Sequence, residues 1–312
     1  MKLYRLQHPN NSIGNRLKKF GAALNAAPPL ISRANQLFFL CGANRAHNTP
    51  SRRREAIKKH LEGLSPEYRV IYAEGVFNEL SKTEKNKNIL DLEHEITNVA
   101  DKIIIILESE SAFCELGAFS HQKLRKKLII INDKHHENSQ SFINTGPISA
   151  AKEVNSPVLL YHMLHDKNDY VDSIGEVFND LSIAATPPTH KHAVRVTSDL
   201  SDLSPRKEIL YFIHDLIIAS GPITRAELIN ILIVLFGKRP YDMITHLLGI
   251  LREARLIYSF EDNNKRIYHS PITIPFLRYG PEYHSLTSAF RNHHLKNNPE
   301  RLKNAKNNRN NF

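Results

Sequence analysis

Two short segments of this chain, Ile103-Ile-Ile-Ile-Leu107 and Leu128-Ile-Ile-Ile131, are apolar at every position. A strand with one face in water alternates apolar and polar residues; an unbroken aliphatic strand is buried on both faces. Helices must then cover both sides of the sheet, which selects a parallel α/β arrangement. Neither run approaches the roughly 20 apolar residues needed to cross a bilayer. Other strand candidates, Leu37–Cys41, Val70–Ala73 and Val158–Tyr161, lie on either side, with helical segments near Arg52–Leu61, Ile89–Val99 and Phe113–Lys126 between them. The expected fold of residues 1–165 is a doubly wound, five-stranded parallel sheet.

Beyond residue 165 the pattern changes. Asp166–Ala185 reads as one helix, and Thr186–Pro205, opening with Thr186-Pro-Pro-Thr-His-Lys-His192, reads as an exposed linker, so 166–203 form a connecting segment. Three helical stretches follow, Ser204–Ser220, Thr224–Phe236 and Tyr241–Ala254, punctuated by Gly221-Pro222 and Gly237-Lys-Arg-Pro240. Leu256–Phe260 and Arg266–His269 then flank Glu261-Asp-Asn-Asn-Lys265 as a hairpin. Three helices and a hairpin are the layout of a winged helix, here over 204–281. The remainder, 282–312, ends in the Asn- and Lys-rich stretch Arg291–Phe312, expected to be a disordered basic tail.

Charge bears on the partner. Lys and Arg number 42 against 32 Asp and Glu, a net charge of +10, which favours a polyanion such as nucleic acid. In a winged helix the third helix faces the groove and the wing adds phosphate contacts. The candidates are Lys238, Arg239, His246 and Arg252, with Lys265 and Arg266 from the wing, while Ile244, Leu247, Leu248 and Leu251 fall at core spacing. The N-terminus lacks a signal-peptide core, and two cysteines, Cys41 and Cys114, make no disulfide framework. A cytoplasmic protein without membrane association is expected, with Cys114 a small buried residue.

Ligands of an open parallel sheet bind beyond the carboxyl ends of its strands. Arriving there are Gly42-Ala43-Asn44, Glu74, Glu108-Ser-Glu110 and Asn132-Asp133. Glu115 follows at the start of a helix, where the dipole favours an ionised carboxylate. Several carboxylates at one edge suit acid/base and nucleophilic chemistry at an anomeric carbon. The chain has no G-x-G-x-x-G after its first strand, no P-loop, no C-x-x-C and no H-E-x-x-H, so dinucleotide oxidoreductase, P-loop and zinc-motif readings fall and no metal is expected. The pairs His135-His136, His190/His192 and His293-His294 read as solvated surface.

The segments Phe38-Phe-Leu-Cys-Gly42, Tyr72-Ala-Glu-Gly-Val-Phe77, Leu92-Glu93, Phe113-Cys-Glu-Leu-Gly-Ala-Phe119 and Ser141-Phe-Ile-Asn-Thr-Gly-Pro147 occur in that order. Together they resemble the nucleoside 2-deoxyribosyltransferase-like effectors of bacterial retrons, which are anti-phage systems. The resemblance covers 37–161, and the winged-helix layout fits the same architecture. It implies a toxin that acts on a glycosidic bond, with Glu115 as nucleophile. In similar effectors the reaction is hydrolysis of NAD at the nicotinamide–ribose bond, so NAD is substrate and no cofactor is implied. The implied partners are a reverse transcriptase and its multicopy single-stranded DNA–RNA hybrid, with a higher-order assembly of that complex left open. The broader transferase family carries a Tyr in the first strand where this chain has Phe38-Phe39, which disfavours simple base exchange. The assisting acid stays open among Glu93, Glu108 and Glu74, with Asp91 beyond them; Gly42, Ala43, Asn44, Glu74 and Asn144 are candidates for holding substrate. Two other readings remain: a winged-helix DNA-binding regulator with a non-catalytic nucleotide-sensing domain, and a deoxyribosyltransferase.

Overall fold

The computed structural model describes residues 6–8, 10–45, 49–80, 88–164, 173–187 and 194–309. The chain divides into two compact units, Asn35–His190 and a second made of Met1–Ala34 with Lys191–Phe312.

The first unit is built on the aliphatic runs. Its elements are β1 (Gln36–Cys41), α1 (Arg52–Leu64), β2 (Tyr68–Ile71), α2 (Ala73–Leu80), α3 (Ile89–Val99), β3 (Lys102–Ile106), α4 (Glu110–Phe119), β4 (Leu128–Asp133), β5 (Val158–Tyr161) and α5 (Phe178–Ala185). The five strands are parallel in the order β2-β1-β3-β4-β5, with Phe39 paired to Ile71 on one side and to Ile103 on the other. The doubly wound expectation holds. Ile103–Ile106 and Leu128–Ile131 are wholly buried, as strands covered on both faces must be. On one face Phe38, Leu40, Ile104, Ile106, Ile129 and Ile131 pack against Ile57 and Leu61 of α1 and Leu181 of α5. On the other, Phe39 meets Phe119 of α4, ring centroids 6.0 Å apart.

Caps decide where the helices begin. The Ser51 hydroxyl accepts from the Arg54 amide, the Asn88 side chain from Leu90, and the Ser109 hydroxyl from Ala112. The Ser109 cap starts α4 at Glu110, three residues ahead of the expected Phe113, and the helix stops at Phe119 rather than Lys126. Glu115 therefore lies in the second turn, and the dipole argument made for it from sequence does not apply. Residues 173–187 carry a 3₁₀ turn, Ser173–Val177, and α5; the first part of the expected Asp166–Ala185 helix lies outside the described residues, as do His190 and His192 of the linker.

In the second unit, α6 (Lys207–Ser220), β6 (Ile223–Thr224), α7 (Arg225–Phe236), α8 (Met243–Glu253), β7 (Tyr258–Asp262) and β8 (Lys265–His269) follow one another. Strand β8 pairs antiparallel with both β6 and β7, so three helices and a three-stranded sheet give the winged-helix layout. Helix α7 opens with a capping box between Thr224 and Glu227. The wing turns on Asn263 and Asn264, whose φ of 49° and 57° suits the tight hairpin that asparagine tolerates.

The expected disordered tail is helical instead: α9 spans Pro281–Asn297 and α10 Pro299–Arg309. Tyr283, Leu286, Phe290 and His294 recur on one helical face and are buried, an apolar stripe that a count of Asn and Lys overlooks. His293 and His294 are thus core groups rather than surface, with the His294 Nε2 atom 2.8 Å from the Ser220 carbonyl. Ser12–Ala26 forms a further helix in this unit, with Ile13, Leu17, Phe20 and Leu24 buried. The second half of the expected linker is ordered, since Val194–Arg195 pair with Leu30–Ile31 and Val196 is buried.

Asp215, fully buried on α6, gathers this unit. Its carboxylate accepts from the Phe276 and Leu277 amides, both at 2.9 Å, and from the Tyr279 hydroxyl at 3.1 Å. Asp215→Ala strands two buried amides without an acceptor and should cost about 3 kcal/mol or more. A denaturant titration showing less than 1 kcal/mol (roughly the net worth of one hydrogen bond) would contradict this account.

Candidate active site

The strand order reverses direction between β1 and β3, and at that switch point an open α/β sheet presents its crevice. Strand β1 ends in Cys41, after which Gly42, Ala43 and Asn44 turn away. A Cβ on Gly42 would lie 2.9 Å from Glu108 Oε1 and 3.1 Å from Arg54 Cδ, so the turn closes only around glycine. Glu108, just past β3, accepts from the Ala43 amide at 3.0 Å, the Ser51 hydroxyl at 2.6 Å and the Arg53 guanidinium at 3.1 Å. These bonds tie the ends of β1 and β3 to the start of α1. The Glu108 carboxylate is spent on holding the crevice together.

Behind this turn lies Arg54, third residue of α1 and 1 % exposed. Its guanidinium donates to both oxygens of Glu74, at 2.8 and 3.1 Å, to Asn44 Oδ1 at 2.6 Å and to the Leu40 carbonyl at 2.9 Å. It also stacks 4.7 Å over the Tyr72 ring. Asn44 in turn donates to Glu74 at 2.8 Å. Burial alone would raise the Glu74 carboxyl, but the Arg54 hydrogen bonds and charge outweigh it and hold Glu74 below its ordinary range. This pair is ionised and spoken for.

Two further carboxyls face the same charges. Glu93 of α3 is pushed up to about 7, by burial first and then by the Glu74 charge, with Arg54 opposing. Glu115 of α4 is pushed up to about 8, by burial first, then by Glu93, while Arg54 and a hydrogen bond with Cys41 pull the other way. Burial and the same two glutamates also raise the Cys41 thiol, which removes it as a nucleophile. Glu115 Oε2 is buried and has no hydrogen-bond partner among the described residues. One guanidinium thus faces three carboxyls, and near neutral pH the Glu93–Glu115 pair keeps protons that two separate glutamates would have lost.

The tertiary structure therefore brings Glu115, Glu93, Glu74 and Asn44 to one place and puts Gly42, Ala43 and Glu108 in its framework. Asn144 stands apart from them: its side-chain amide donates to the His136 and Ser139 carbonyls, at 2.6 and 2.7 Å, and fixes the turn after β4. Asp91 is exposed on α3 beside a separate hollow of about 810 Å³ shared with His94 and Phe119. Cys114 is exposed, contrary to expectation, because it leaves α4 about 100° away from Glu115. Arg54 was not singled out from sequence. In Arg52-Arg-Arg54 nothing local separates the third arginine from the others, and only the helix phase set by the Ser51 cap turns it inward.

In the second unit Lys238, Arg239 and Lys265 are exposed, with Arg239 stacked 5.7 and 5.6 Å over Phe236 and Tyr241. Arg266 lies 3.6 Å from Glu261. Arg252 is half-buried, and burial followed by the nearby Arg266 charge lowers its pKa. His246 must be withdrawn as a groove contact. It is 1 % exposed, and Ile244 through Leu251 are buried without a break, so α8 offers no free face along that stretch.

A 2-1-3-4-5 parallel sheet with a carboxyl cluster at its switch point is thus carried in one chain with a unit of helices and a three-stranded antiparallel sheet, a two-unit α/β chain. The family model described as STM3845 retron effector protein matches residues 50–259, and the chain belongs to that retron effector family. It is 35 % identical over 317 residues to the "Retron Ec73 putative ribosyltransferase/DNA-binding protein" of Escherichia coli, covering 92 % of this chain and 98 % of that one. To the "Retron Ec86 putative ribosyltransferase/DNA-binding protein" of the same organism it is 32 % identical over 146 residues, 46 % of this chain and 47 % of the other.

The raised carboxyls make a stability prediction with a definite sign. Between the ordinary value of 4.5 and about 8 the folded chain holds a proton on Glu115 that the unfolded chain releases, so stability falls as pH rises through that window. Glu115→Gln removes the penalty. Its melting temperature should exceed that of the native chain at pH 8.5 and match it near pH 4. Equal melting temperatures at both values would mean that Glu115 ionises freely.

Proposed function

We propose that the first unit is an N-glycosidase that hydrolyses NAD to nicotinamide and ADP-ribose through Glu115. The observation that carries this reading is the buried, unpartnered Glu115 oxygen beside Glu93, with Arg54 already committed to Glu74. A site with excess carboxyl and one engaged cation favours a positively charged ligand, and the nicotinamide ring of NAD carries that charge on the nitrogen bonded to ribose. Its entry lowers the pKa of both acids and ionises Glu115 where it is needed.

The Glu115 carboxylate then attacks C1′, and the C1′–N bond breaks with its electron pair passing to the ring nitrogen, which becomes neutral. Neutral nicotinamide leaves without needing a proton. Water attacks C1′ of the glycosyl-enzyme, releases Glu115 and yields ADP-ribose, with Glu93 taking the proton. Glu108 does not fit the assisting role, because its oxygens are bonded to Ala43, Ser51 and Arg53. The two relatives named as ribosyltransferases support a glycosyl-transfer reading of this kind.

Nicotinamide release from NAD, followed with the chain alone and with the reverse transcriptase and DNA–RNA hybrid of its retron, tests the proposal. Folded Glu115→Gln should fall to background, since the amide matches the carboxylate in shape but not in nucleophilicity, and Glu93→Gln should lose about 100-fold. Turnover by folded Glu115→Gln would overturn the Glu115 assignment, and a native chain inert both alone and in the complex would favour the regulator reading.

The second unit is proposed to dock that hybrid through the wing, where exposed Lys265 and neighbouring Arg266 can reach phosphates. Control by the reverse transcriptase and hybrid, and assembly of several copies of the complex, belong to the same proposal. Lys265→Glu with Arg266→Glu should weaken binding and flatten its salt dependence by about 2 in log–log slope, leaving nicotinamide release by the uncomplexed chain unchanged. An unaltered salt slope would assign the wing to protein docking.

A further inference from the structure

At the other side of the same sheet, away from β1 and β2, three potential metal ligands converge. Asp133 ends β4 and is 2 % exposed. Its Oδ1 accepts from the His135 amide at 3.0 Å, capping the short turn Lys134–His136, and that turn swings the His135 ring back until Nδ1 is also 3.0 Å from the same oxygen. Asp133 pairs with Tyr161 in the sheet register, so His162 is the first residue past β5 beside it. The Met163 amide, 3.4 Å from Asp133 Oδ1, and the Ser173 hydroxyl, 3.3 Å from the His162 carbonyl, hold that backbone in place. The His135 and His162 rings meet edge-on with centroids 5.0 Å apart. One ligand atom from each of Asp133, His135 and His162 lies within 4.8 Å of the others.

We propose that Asp133, His135 and His162 form a site for a divalent first-row transition ion of the zinc type. Two imidazoles with one carboxylate are a borderline donor set, matched to such ions rather than to magnesium or calcium, which take oxygen ligands. Bonds of about 2.0–2.2 Å require the three donor atoms to close to roughly 3.3 Å of one another. Both histidines are exposed and can turn inward by rotamer changes, while the buried carboxylate serves as the fixed point. A side-chain bond elsewhere supports the turn: Asn144 clamps the His136 and Ser139 carbonyls. A tetrahedral ion would keep one position for water or an anionic oxygen. It would also join the ends of β4 and β5 independently of the acid cluster, which draws on β1 and α1 to α4.

Calorimetric titration of the full-length chain with zinc chloride tests this, with the visible spectrum of the cobalt-substituted form reporting coordination. Saturable binding of one ion, a tetrahedral cobalt spectrum and a raised melting temperature are expected. His135→Ala with His162→Ala should abolish all three and, since both side chains are exposed, leave the circular dichroism unchanged. His136→Ala, next to the site but outside the ligand set, should bind as the native chain does. The absence of saturable binding would overturn the proposal. So would undiminished binding by the double variant, which would show an adventitious ion on surface histidines only. Failure here would leave the Glu115 reading untouched.

Discussion

The crevice depends on one buried guanidinium. Arg54 cannot be deprotonated, so placing it out of water requires partners, and its two terminal nitrogens find them on β1, on α2 and on the segment between β1 and α1. The Leu40 carbonyl belongs to β1, Glu74 to α2 and Asn44 to the short strand Asn44–Arg45 between β1 and α1. Each partner is therefore held by the same charge, and loss of the arginine would leave Glu74 as an uncompensated buried carboxylate. Glu108 repeats the device one layer further out, as an acceptor for three donors around the Gly42 turn.

What Arg54 does not neutralise gives the site its character. Glu74 uses most of the positive charge, and Glu93 and Glu115 are left in partial burial with like-charged neighbours. Glu115, raised to about 8, stays largely protonated near neutral pH, a costly arrangement for folding. Such local frustration is common where a protein is shaped for a ligand rather than for itself. A positive charge brought beside these acids would relieve it by favouring their ionised forms.

The second unit is organised by buried polar groups of a different kind. Asp215 binds backbone amides of the segment after the wing and the hydroxyl of Tyr279, while His294 and Arg301 tie the last two helices to Ser220 and Glu227. Helices α9 and α10 are thus integral to the winged-helix layout. With α8 buried over most of its length, the wing and the Gly237–Pro240 turn present exposed basic residues that α8 does not between Ile244 and Leu251.

The parallel sheet was legible because an all-apolar strand has one physical solution, burial on both faces. Ile103–Leu107 and Leu128–Ile131 carried that information locally, and the hairpin announced itself through Asn263-Asn264. The gathering of acids at the strand ends could also be anticipated, since topology alone brings carboxyl edges together. Which acid would remain available could not. Glu108, Glu93 and Glu74 were alike as candidates for the assisting acid, and only the tertiary contacts engage the first and last in bonds while Glu93 is raised in pKa. Arg54, the inward His246 and the tail helices were hidden for a related reason: helix phase and burial decide their roles, and composition averages over both. Asp133 and His135 are separated from His162 by a strand crossover that no spacing motif describes. Strand pattern is a local property of the chain; partnership among charged groups is a property of the fold.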